Sequence, residues 1–555
     1  MVWTQHYDPL GHPVLSTVVA AVPVVTLLGC LAGLRIRVHF AAALGLAAAL
    51  AVAVFAYRMP PAMSLATALY GAAYGVFPIG WIILNVIFLY QLTVKKALFE
   101  VLRNSLASVT PDPRIQVILI AFSFGAFIEG LAGFGTPVAI TGALLIQLGF
   151  RPLQASCLAL IANTAPVAFG SLGIPITTLS QVTGMDALAL SKMVGRQLPF
   201  FSLIVPAWVC LAFAGWRGLR GVWPAVLTAG MAFAVPQFLV SNFHGPWLVD
   251  IVSGACSIGA LVVLLRRWQP RDPWQPAAAA AARPATQLHS RAEIFRAWRP
   301  WVLLTTFLFI WGLPAAKNFL DGKAAWTAPV KVVIAPEFAM PGLHELVQRS
   351  PPVAPENSPP ENAVFRLNWL SATGTGILFA ALLAGALMKF TARELVRAYA
   401  ETFWRVRYSL LTIAAMLALG NVTKYSGTDA TLGLAMARTG AWYPFFGTLL
   451  GWLGVALTGS DTASNVLFGS LQKITAEQAG LSSILMGAAN SAGGVMGKMI
   501  DAQSIVVAST ATGFHGQEGA ILRGVFWHSL ALATLVGILV YLQATVPPFT
   551  GMVVK

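Results

Sequence analysis

Two isolated carboxylates stand in long apolar stretches of the sequence. Glu129 is the only charged residue between positions 114 and 151, and Asp461 is the only one between positions 438 and 473. A carboxylate inside a bilayer is costly and usually marks an ion or proton pathway. An apolar environment disfavours the charged form, so both residues are candidate proton carriers. The alternative is that each carboxylate caps a half-helix N-terminus as a structural anion.

A third charged group, Lys498, lies in the motif VMGKMIDAQS, with Asp501 three residues later. Two interpretations remain open for this pair. Lys498 could be the counter-charge to a substrate carboxylate, or Lys498 and Asp501 could form a local ion pair at i,i+3 spacing on one helix face. We favour the first interpretation and treat Lys498 as a candidate substrate-binding residue.

Short hydrogen-bonding residues cluster beside glycines near these charges. Broken helices expose backbone N–H groups, and a carboxylate can accept hydrogen bonds from them and from neighbouring hydroxyls. Singly, such residues more often serve packing or capping, but their symmetric occurrence in both halves favours a binding site. The candidate set is Gly135, Thr136, Asn163, Thr164, Ser460, Thr462, Asn490, Ser491 and Gln503.

Motifs for enzymatic or cofactor chemistry do not occur in the sequence. There is no Walker loop, no HExxH and no Ser-His-Asp pattern, and the eight His residues lack ligand spacing. The four Cys residues lie in apolar stretches and resemble small core residues. We therefore expect no enzyme activity, no cofactor and no metal site.

The elements that position these residues must lie in a membrane. Of the 555 residues, 57% are hydrophobic and 10% are charged, whereas soluble domains carry about 25% charged residues. Apolar runs long enough to cross about 30 Å of hydrocarbon recur along the chain. The clearest predicted spans are 14–34, 39–57, 66–92, 198–214, 224–240, 249–265, 300–316, 371–388, 408–423 and 525–546.

Two further apolar regions, 115–190 and 442–512, are rich in Gly, Pro, Ser, Thr and Asn. Plain spans do not need such residues, whereas broken helices and re-entrant hairpins that line a cavity do. We predict an all-α polytopic membrane protein of about 12–14 membrane segments. Each half should contain one re-entrant hairpin and one broken helix.

The regions 115–190 and 442–512 also resemble each other in sequence. SCLALIANTAPVAFG at 156–170 aligns with SILMGAANSAGGVMG at 483–497, and each follows a Gly/Thr turn, GFGTP or TGSDT. Small residues recur in any helix-packing interface, which is the alternative explanation. We predict two inverted-topology repeats, 1–267 and 300–555. A flexible cytoplasmic linker at 268–299 would join them, and the second repeat would carry an outer loop at 317–368 whose role the sequence leaves undetermined.

The formal net charge of +15 could suggest a nucleic-acid partner, but the basic residues cluster in short loops between spans. Positive charge in short loops stays cytoplasmic. This pattern predicts an outward-facing N-terminus and gives no reason to expect a nucleic-acid partner.

Long motifs connect the chain to a known family. The sequence resembles the bacterial L-lactate permease family over nearly its whole length. This resemblance implies import of lactate, commonly both enantiomers, and often of glycolate, by proton symport across the cytoplasmic membrane. It also implies paired re-entrant hairpins and an elevator-like movement. The motifs are GAFIEGLAGFGTPVAITGALL, LIANTAPVAFGSLGIPI, QVTGMDALALSKMVGRQLPF, GWLGVALTGSDTASNVLF and GGVMGKMIDAQSI.

Two departures from the family pattern stand out. The family usually has Ser-Pro where Asp501-Ala502 stands, and the Ala/Pro linker after Trp268 is unlike its relatives. The first departure puts a general role for Asp501 in doubt.

We therefore expect a lactate and glycolate:proton symporter in the bacterial inner membrane, with lipid as its surroundings and a homodimer as one possible assembly. The alternatives are a proton- or sodium-coupled carrier of another organic anion, an anion channel, or a subunit of a larger membrane complex. A dicarboxylate site should present more fixed positive charge than one lysine. A channel would need no intramembrane carboxylates.

Overall fold

The computed structural model describes residues 2–30, 34, 36–107, 109–133, 135–271, 289–323, 331–356, 358–438, 440–514 and 517–554. Nearly all of the regular structure in these ranges is helical. The helices of the first half are α1 Pro13–Leu28, α2 Val38–Ala51, α3 Pro61–Tyr74, α4 Trp81–Lys95, α5 Leu98–Ala107, α6 Pro113–Val117, α7 Gly125–Ala132, α8 Thr136–Gln147, α9 Pro152–Ala162, α10 Gly170–Thr183, α11 Ala187–Val194, α12 Leu198–Phe243 and α13 Val249–Leu265.

In the first half, wider π turns at Val52–Ala56 and Ile118–Phe124 extend helices, whereas the turn at Gly75–Gly80 contains extended backbone at Phe77. The helices of the second half are α14 Arg291–Gly312, α15 Pro314–Leu320, α16 Lys331–Ile334, α17 Thr373–Leu387, α18 Ala392–Ser426, α19 Thr428–Ala437, α20 Tyr443–Thr458, α21 Asp461–Gln478, α22 Ser483–Gly497, α23 Ala502–Ala511 and α24 Glu518–Thr545.

Six helical stretches of the described residues are long and apolar enough to cross a membrane, or seven if one bent pair counts as a single span. The stretch Leu198–Phe243 covers the two predicted spans 198–214 and 224–240, and the backbone between them is non-helical at Gly215 and Val222. Large apolar side chains, Phe200 and Trp223 among them, are exposed along it. Such an apolar surface is favourable in contact with lipid tails and unfavourable in contact with water. The chain is a multi-pass membrane protein.

The predicted linker 268–299 lies largely outside the described residues, but its last part is helical. Helix α14 begins at Arg291 because Ser290 and Glu293 form a capping box. The Ser290 backbone N–H donates a 2.8 Å hydrogen bond to the Glu293 carboxylate, which lowers the pKa of Glu293. Two free backbone donors are satisfied in this way, so the helix starts earlier than the sequence pattern suggests.

Both predicted Gly/Thr turns lie at breaks between two helices. The first break separates α7 from α8, with Gly133 at φ +49° and Gly135 at φ +81°. The second separates α20 from α21, with Gly459 at φ +75°. These conformations favour glycine because it has no Cβ. Each half therefore holds a helical hairpin.

Each hairpin is followed by an interrupted helix. Helices α9 and α10 are separated by residues 163–169 and differ in direction by 64°, and α22 and α23 are separated at 498–501. The second arm of each hairpin packs on the interrupted helix of the other half: α8 contacts α23, and α21 contacts α10. The packing is thus reciprocal between the halves.

The start of α10 has an unusual backbone. Ser171, Leu172 and Gly173 have φ values of +46°, +59° and +72°. A left-handed conformation costs about 1–2 kcal/mol for a residue with a side chain, and such strain tends to occur at functional sites. A residue with a side chain is disfavoured at Gly173, because its Cβ would lie 2.6 Å from the Pro246 side chain.

The predicted outer loop 317–368 contains three of the four strands in the described residues. Strand β2 Glu337–Ala339 pairs antiparallel with β4 Val364–Arg366, and β3 Val347–Gln348 pairs in parallel with β1 Trp3–Thr4 near the N-terminus. The segment is therefore tied to the first residues of the chain.

Candidate functional site

A cavity of about 430 Å³ lies where the two halves meet, and we call it the central cavity. The first half contributes Glu129 from α7 and Gly170, Ser171, Ile174 and Pro175 from α10. The second half contributes the α20–α21 break, Lys498 and Gln503. Its remaining wall includes Arg37, His39, Tyr408, Ser409, Thr412, Ile413 and Met416.

Glu129 is one of two buried carboxylates on this wall and is 4% exposed. Its Oε2 atom has no hydrogen-bond partner in the described part of the chain. A Cβ at Gly170 would lie 2.6 Å from its Oε1 atom, so a glycine is needed beside it. The carboxylate therefore faces the cavity without a fixed hydrogen bond on one oxygen.

Asp461, the other buried carboxylate, is the first residue of α21 and is 3% exposed. Its Oδ2 accepts a short hydrogen bond from the Ser491 hydroxyl and a 3.5 Å hydrogen bond from the Asn465 amide. Its Oδ1 has no partner among the described residues. These contacts join the tip of the second hairpin to α22.

Lys498 ends α22 and lines the central cavity, where it is 4% exposed. Its ammonium donates a 2.6 Å hydrogen bond to the Gly459 carbonyl oxygen and lies 3.4 Å from the Asp501 carboxylate. Asp501 also caps α23 by accepting a 2.7 Å hydrogen bond from the Ser504 backbone. Lys498 therefore forms the ion pair with Asp501 across the break between α22 and α23, and it also lines the central cavity. Its role as counter-charge to a substrate stays a prediction.

The other predicted site residues divide into two groups. Ser460, Thr462 and Gln503 line the central cavity together with Glu129, Asp461 and Lys498. The remaining six lie outside its lining: Gly135, Thr136, Asn163, Thr164, Asn490 and Ser491.

Packing contacts explain why several of these six residues lie outside the lining of the central cavity. The Asn490 amide donates to Asn465 at 2.9 Å, and its oxygen accepts from Gln472 at 3.1 Å. Gly135 faces Val507 of α23, and Thr164 donates to the Ile161 carbonyl at 2.8 Å. The first Gly/Thr turn therefore packs against α23, whereas the second turn reaches the cavity.

Asn163 differs from these residues. It is 2% exposed, and neither side-chain polar atom has a hydrogen-bond partner among the described residues. Its side chain is close enough to the Glu129 carboxylate to interact with it electrostatically. Asn163 thus lies behind the cavity wall, beside the carboxylate.

Sequence reasoning missed part of the wall. Arg37 belongs to one of the short basic loops that indicate membrane orientation, and Thr412 lies within the predicted span 408–423. His39 stacks on Tyr408 with ring centroids 4.8 Å apart. Helices α2 and α18 are far apart in sequence and share no motif spacing, so only their packing shows that they line the same cavity.

A buried carboxylate close to Glu129 was also missed. Asp250 is 1% exposed in α13, and neither of its carboxylate oxygens has a hydrogen-bond partner in the described ranges. A Cβ at Gly130 would lie 2.9 Å from the Asp250 Cβ. Asp250 does not line the central cavity.

The charges around the cavity do not balance. Among the buried groups, Glu129, Asp461 and Asp501 would carry three negative charges when ionised, against the one positive charge of Lys498, whereas Arg37 on the wall is exposed. Buried charges without compensation are strongly unfavourable. A bound anion would add to the excess unless a proton neutralised a carboxylate. Within the described residues, no group of three His, Cys, Asp or Glu side chains could hold a metal ion.

Comparison with known proteins gives matches along the whole chain. The profile of the family described as L-lactate permease matches residues 16–547. The chain is 45% identical to the glycolate permease GlcA of Escherichia coli K12, with 100% of both chains covered. It is 44% identical to the L-lactate permeases of Escherichia coli K12 and of Bacillus subtilis 168, with 98% of each chain covered.

Two solved transporter structures also resemble the fold. The YdaH transporter of Alcanivorax borkumensis gives a TM-score of 0.42 at 14% identity, covering 86% of this chain and 87% of that one. The antimetabolite efflux protein MtrF of Neisseria gonorrhoeae gives 0.44 at 12% identity, covering 88% and 85%. At such low scores, these similarities do not constrain the function.

Proposed function

Because the chain belongs to the L-lactate permease family, we propose that it carries lactate and glycolate across the membrane together with protons. The family consists of transporters, so the chain is a permease and not an enzyme. The observation that carries the proposal is the shared position of Glu129, Asp461 and Lys498 on one cavity wall.

The charge excess supports proton coupling. An anion that enters a cavity already rich in buried carboxylates is repelled unless at least one carboxylate takes up a proton. Proton binding at Glu129 or Asp461 therefore favours anion binding, and the anion favours proton binding in return. This reciprocal coupling is what a symporter needs.

Lys498 is the proposed counter-charge for the substrate carboxylate. Its ammonium is held at the hairpin break by the Gly459 carbonyl, so its position is defined before substrate binds. Ser460, Thr462 and Gln503 supply neutral hydrogen-bonding groups on the same wall. One of them could bind the substrate hydroxyl.

The size of the cavity suits a small substrate with some water. Small-molecule sites usually measure about 300–1,000 Å³, and this cavity measures about 430 Å³. We propose that Gly135, Thr136, Asn163, Thr164, Asn490 and Ser491 support the site from behind, since they lie outside its lining in this structure.

Reciprocal packing supports two inverted-topology repeats. Helix α8 packs on α23 as α21 packs on α10, and both hairpins turn at a glycine. Superposing residues 14–265 on 300–546 by rotation about an axis in the membrane plane should bring Asn163 near Asn490. The local match is incomplete, because α9 ends at Ala162 whereas α22 continues through Asn490.

Basic loops support an inner-membrane orientation with the N-terminus outside. Arg37 then lies on the cytoplasmic side and lines the central cavity together with Tyr408, the neighbour of Arg407. The central cavity would therefore open toward the cytoplasm in this structure.

Uptake of labelled lactate into proteoliposomes tests the function. We expect accumulation when a pH gradient is imposed, saturation with substrate, and competition by glycolate. A sodium gradient alone should not drive accumulation. Flux that does not saturate would indicate a channel, and uptake of a dicarboxylate in preference to lactate would indicate another carrier; either result contradicts the proposal.

A further inference from the structure

A second polar cavity, of about 270 Å³, lies at the other end of the helices that form the central cavity, and we call it the outer cavity. Helix α10 contributes Pro175 to the central cavity and Gln181 to the outer one. Helix α18 contributes Met416 to the central cavity, then Asn421 and Lys424 to the outer one. At a rise of about 1.5 Å per residue, the two cavities follow each other along one path.

The chemistry of the outer cavity suits an anion. No ion pair within 4.0 Å joins Lys424 to a carboxylate of the described residues. The Gln181 amide, on an exposed residue of the same wall, adds further donors. A carboxylate pairs well with an ammonium and an amide donor.

The predicted outer loop forms part of this wall. The hydroxyls of Tyr70 and Tyr74 donate to the Val364 carbonyl at 3.3 and 3.1 Å. The Tyr425 hydroxyl donates to the Asn362 carbonyl at 3.1 Å, and Asn362 lines the cavity. The outer loop is therefore attached to the helices by tyrosine hydroxyls that belong to the wall of the outer cavity.

An apolar constriction separates the two cavities. A Cβ at Gly420 of α18 would lie 2.7 Å from the Val466 side chain of α21. A Cβ at Gly469 of α21 would lie 2.6 Å from the Leu179 side chain of α10. Three helices thus approach closely at small residues, and Leu179 lies between Pro175 of the central cavity and Gln181 of the outer cavity along α10.

From these observations we propose that the outer cavity is a second carboxylate-binding site, at which Lys424 holds the substrate anion outside the constriction. This inference rests on the proposed transport of lactate. It also gives the outer loop a role, since Asn362 lines this site and the Val364 carbonyl accepts hydrogen bonds from Tyr70 and Tyr74 on its wall.

A cysteine introduced at Gln181 can report the local potential. Membrane-impermeant thiol reagents, one anionic and one cationic, are applied to the full-length Gln181→Cys protein in proteoliposomes, from the side that carries residues 337–366. A positively charged cleft concentrates anions by about 10-fold or more, so we expect the anionic reagent to react about 10-fold faster. External lactate should slow the anionic reagent several-fold.

The Lys424→Met change in the Gln181→Cys protein should bring the two reagent rates close to equality, whereas Lys424→Arg should retain the preference. Lys95→Met is the matched control, because Lys95 pairs with Glu401 on another part of the protein. The protein with Gln181 intact measures the background from Cys30, Cys157, Cys210 and Cys256.

Lactate exchange in the same vesicles separates the two proposals. If lactate is exchanged, but the reagent preference does not depend on Lys424 or lactate does not slow labelling, the outer site is overturned and the transport function stands. If lactate is not exchanged while the preference still depends on Lys424, the transport function fails and an anion site at Lys424 stands.

Discussion

The Lys498 ammonium lies 2.6 Å from the carbonyl oxygen of Gly459, the residue at which the second hairpin turns. A helix end and a hairpin tip are therefore joined through Lys498, which also lines the central cavity. Movement of the hairpin would change the position of this positive charge, and a bound carboxylate would affect both elements together.

Removing the charge of Lys498 should weaken substrate binding. A hydrogen bond to a charged group is worth about 1.5–3 kcal/mol, so Lys498→Gln should raise KM for lactate by about 10- to 100-fold. Lys498→Arg should lose less. Initial rates of labelled lactate uptake in proteoliposomes measure both.

Asp501→Asn is the matched comparison for Lys498. Asn caps a helix N-terminus about as well as Asp, so α23 should persist while Lys498 loses its competing partner. We expect KM for lactate to fall or stay unchanged. An increase as large as that of Lys498→Gln would mean that Lys498 serves the ion pair and not the substrate.

Glu129→Gln should mimic permanent protonation. Accumulation of lactate driven by a pH gradient should disappear, and the internal-to-external ratio should fall to one, because no proton is released on the inner side. Exchange of internal for external lactate should survive. Labelled lactate, with and without the gradient, measures both.

Two neighbouring substitutions complete this experiment. Asp250→Asn changes a buried carboxylate that does not line the cavity, and it should retain accumulation. Asp461→Asn tests the second candidate carboxylate. If Glu129→Gln still accumulates lactate while Asp461→Asn does not, the proton site belongs to Asp461.

Gly170→Ala should disturb the Glu129 carboxylate without straining the backbone. The φ of Gly170 is −59°, which alanine accepts, but its Cβ would lie 2.6 Å from Oε1 of Glu129. Overpacking costs about 1–3 kcal/mol, so thermal stability and coupled uptake should both decrease. Gly259→Ala places a Cβ in open space and should raise stability by about 0.4–1 kcal/mol. If Gly170→Ala and Gly259→Ala had the same stability and the same coupled uptake, the close contact between Gly170 and Glu129 would be contradicted.

Thr462 and Asn490 were predicted as one class of residue, and the structure separates them. Thr462→Val should raise KM for lactate while leaving stability nearly unchanged, because Thr462 lines the cavity. Asn490→Ala should lower the unfolding temperature, because it removes the hydrogen-bond donor to the Asn465 Oδ1 atom and one of the two acceptors of the Gln472 amide. An unsatisfied buried polar group costs about 1–3 kcal/mol. Thermal unfolding and uptake kinetics on each variant distinguish the two roles.

The class of protein, the two hairpin breaks and three charged residues of the cavity followed from local features of the chain. Apolar composition requires a bilayer, a lone carboxylate in an apolar stretch stands out whatever its neighbours, and glycines mark turns because only they adopt positive φ easily. Glu129, Asp461 and Lys498 could be identified in this way. The 327-residue offset between the similar motifs likewise predicted two related halves.

Tertiary structure alone decided which polar residues face the cavity. Thr136 and Thr462 occupy similar turns, yet only Thr462 lines the cavity, because α8 packs against α23 whereas the α20–α21 break lies beside Lys498. Arg37, His39 and Thr412 join the same wall through contacts between α2 and α18, which are far apart in sequence. Spacing along a chain reports local geometry, but the direction of a side chain toward a shared cavity depends on packing between distant helices.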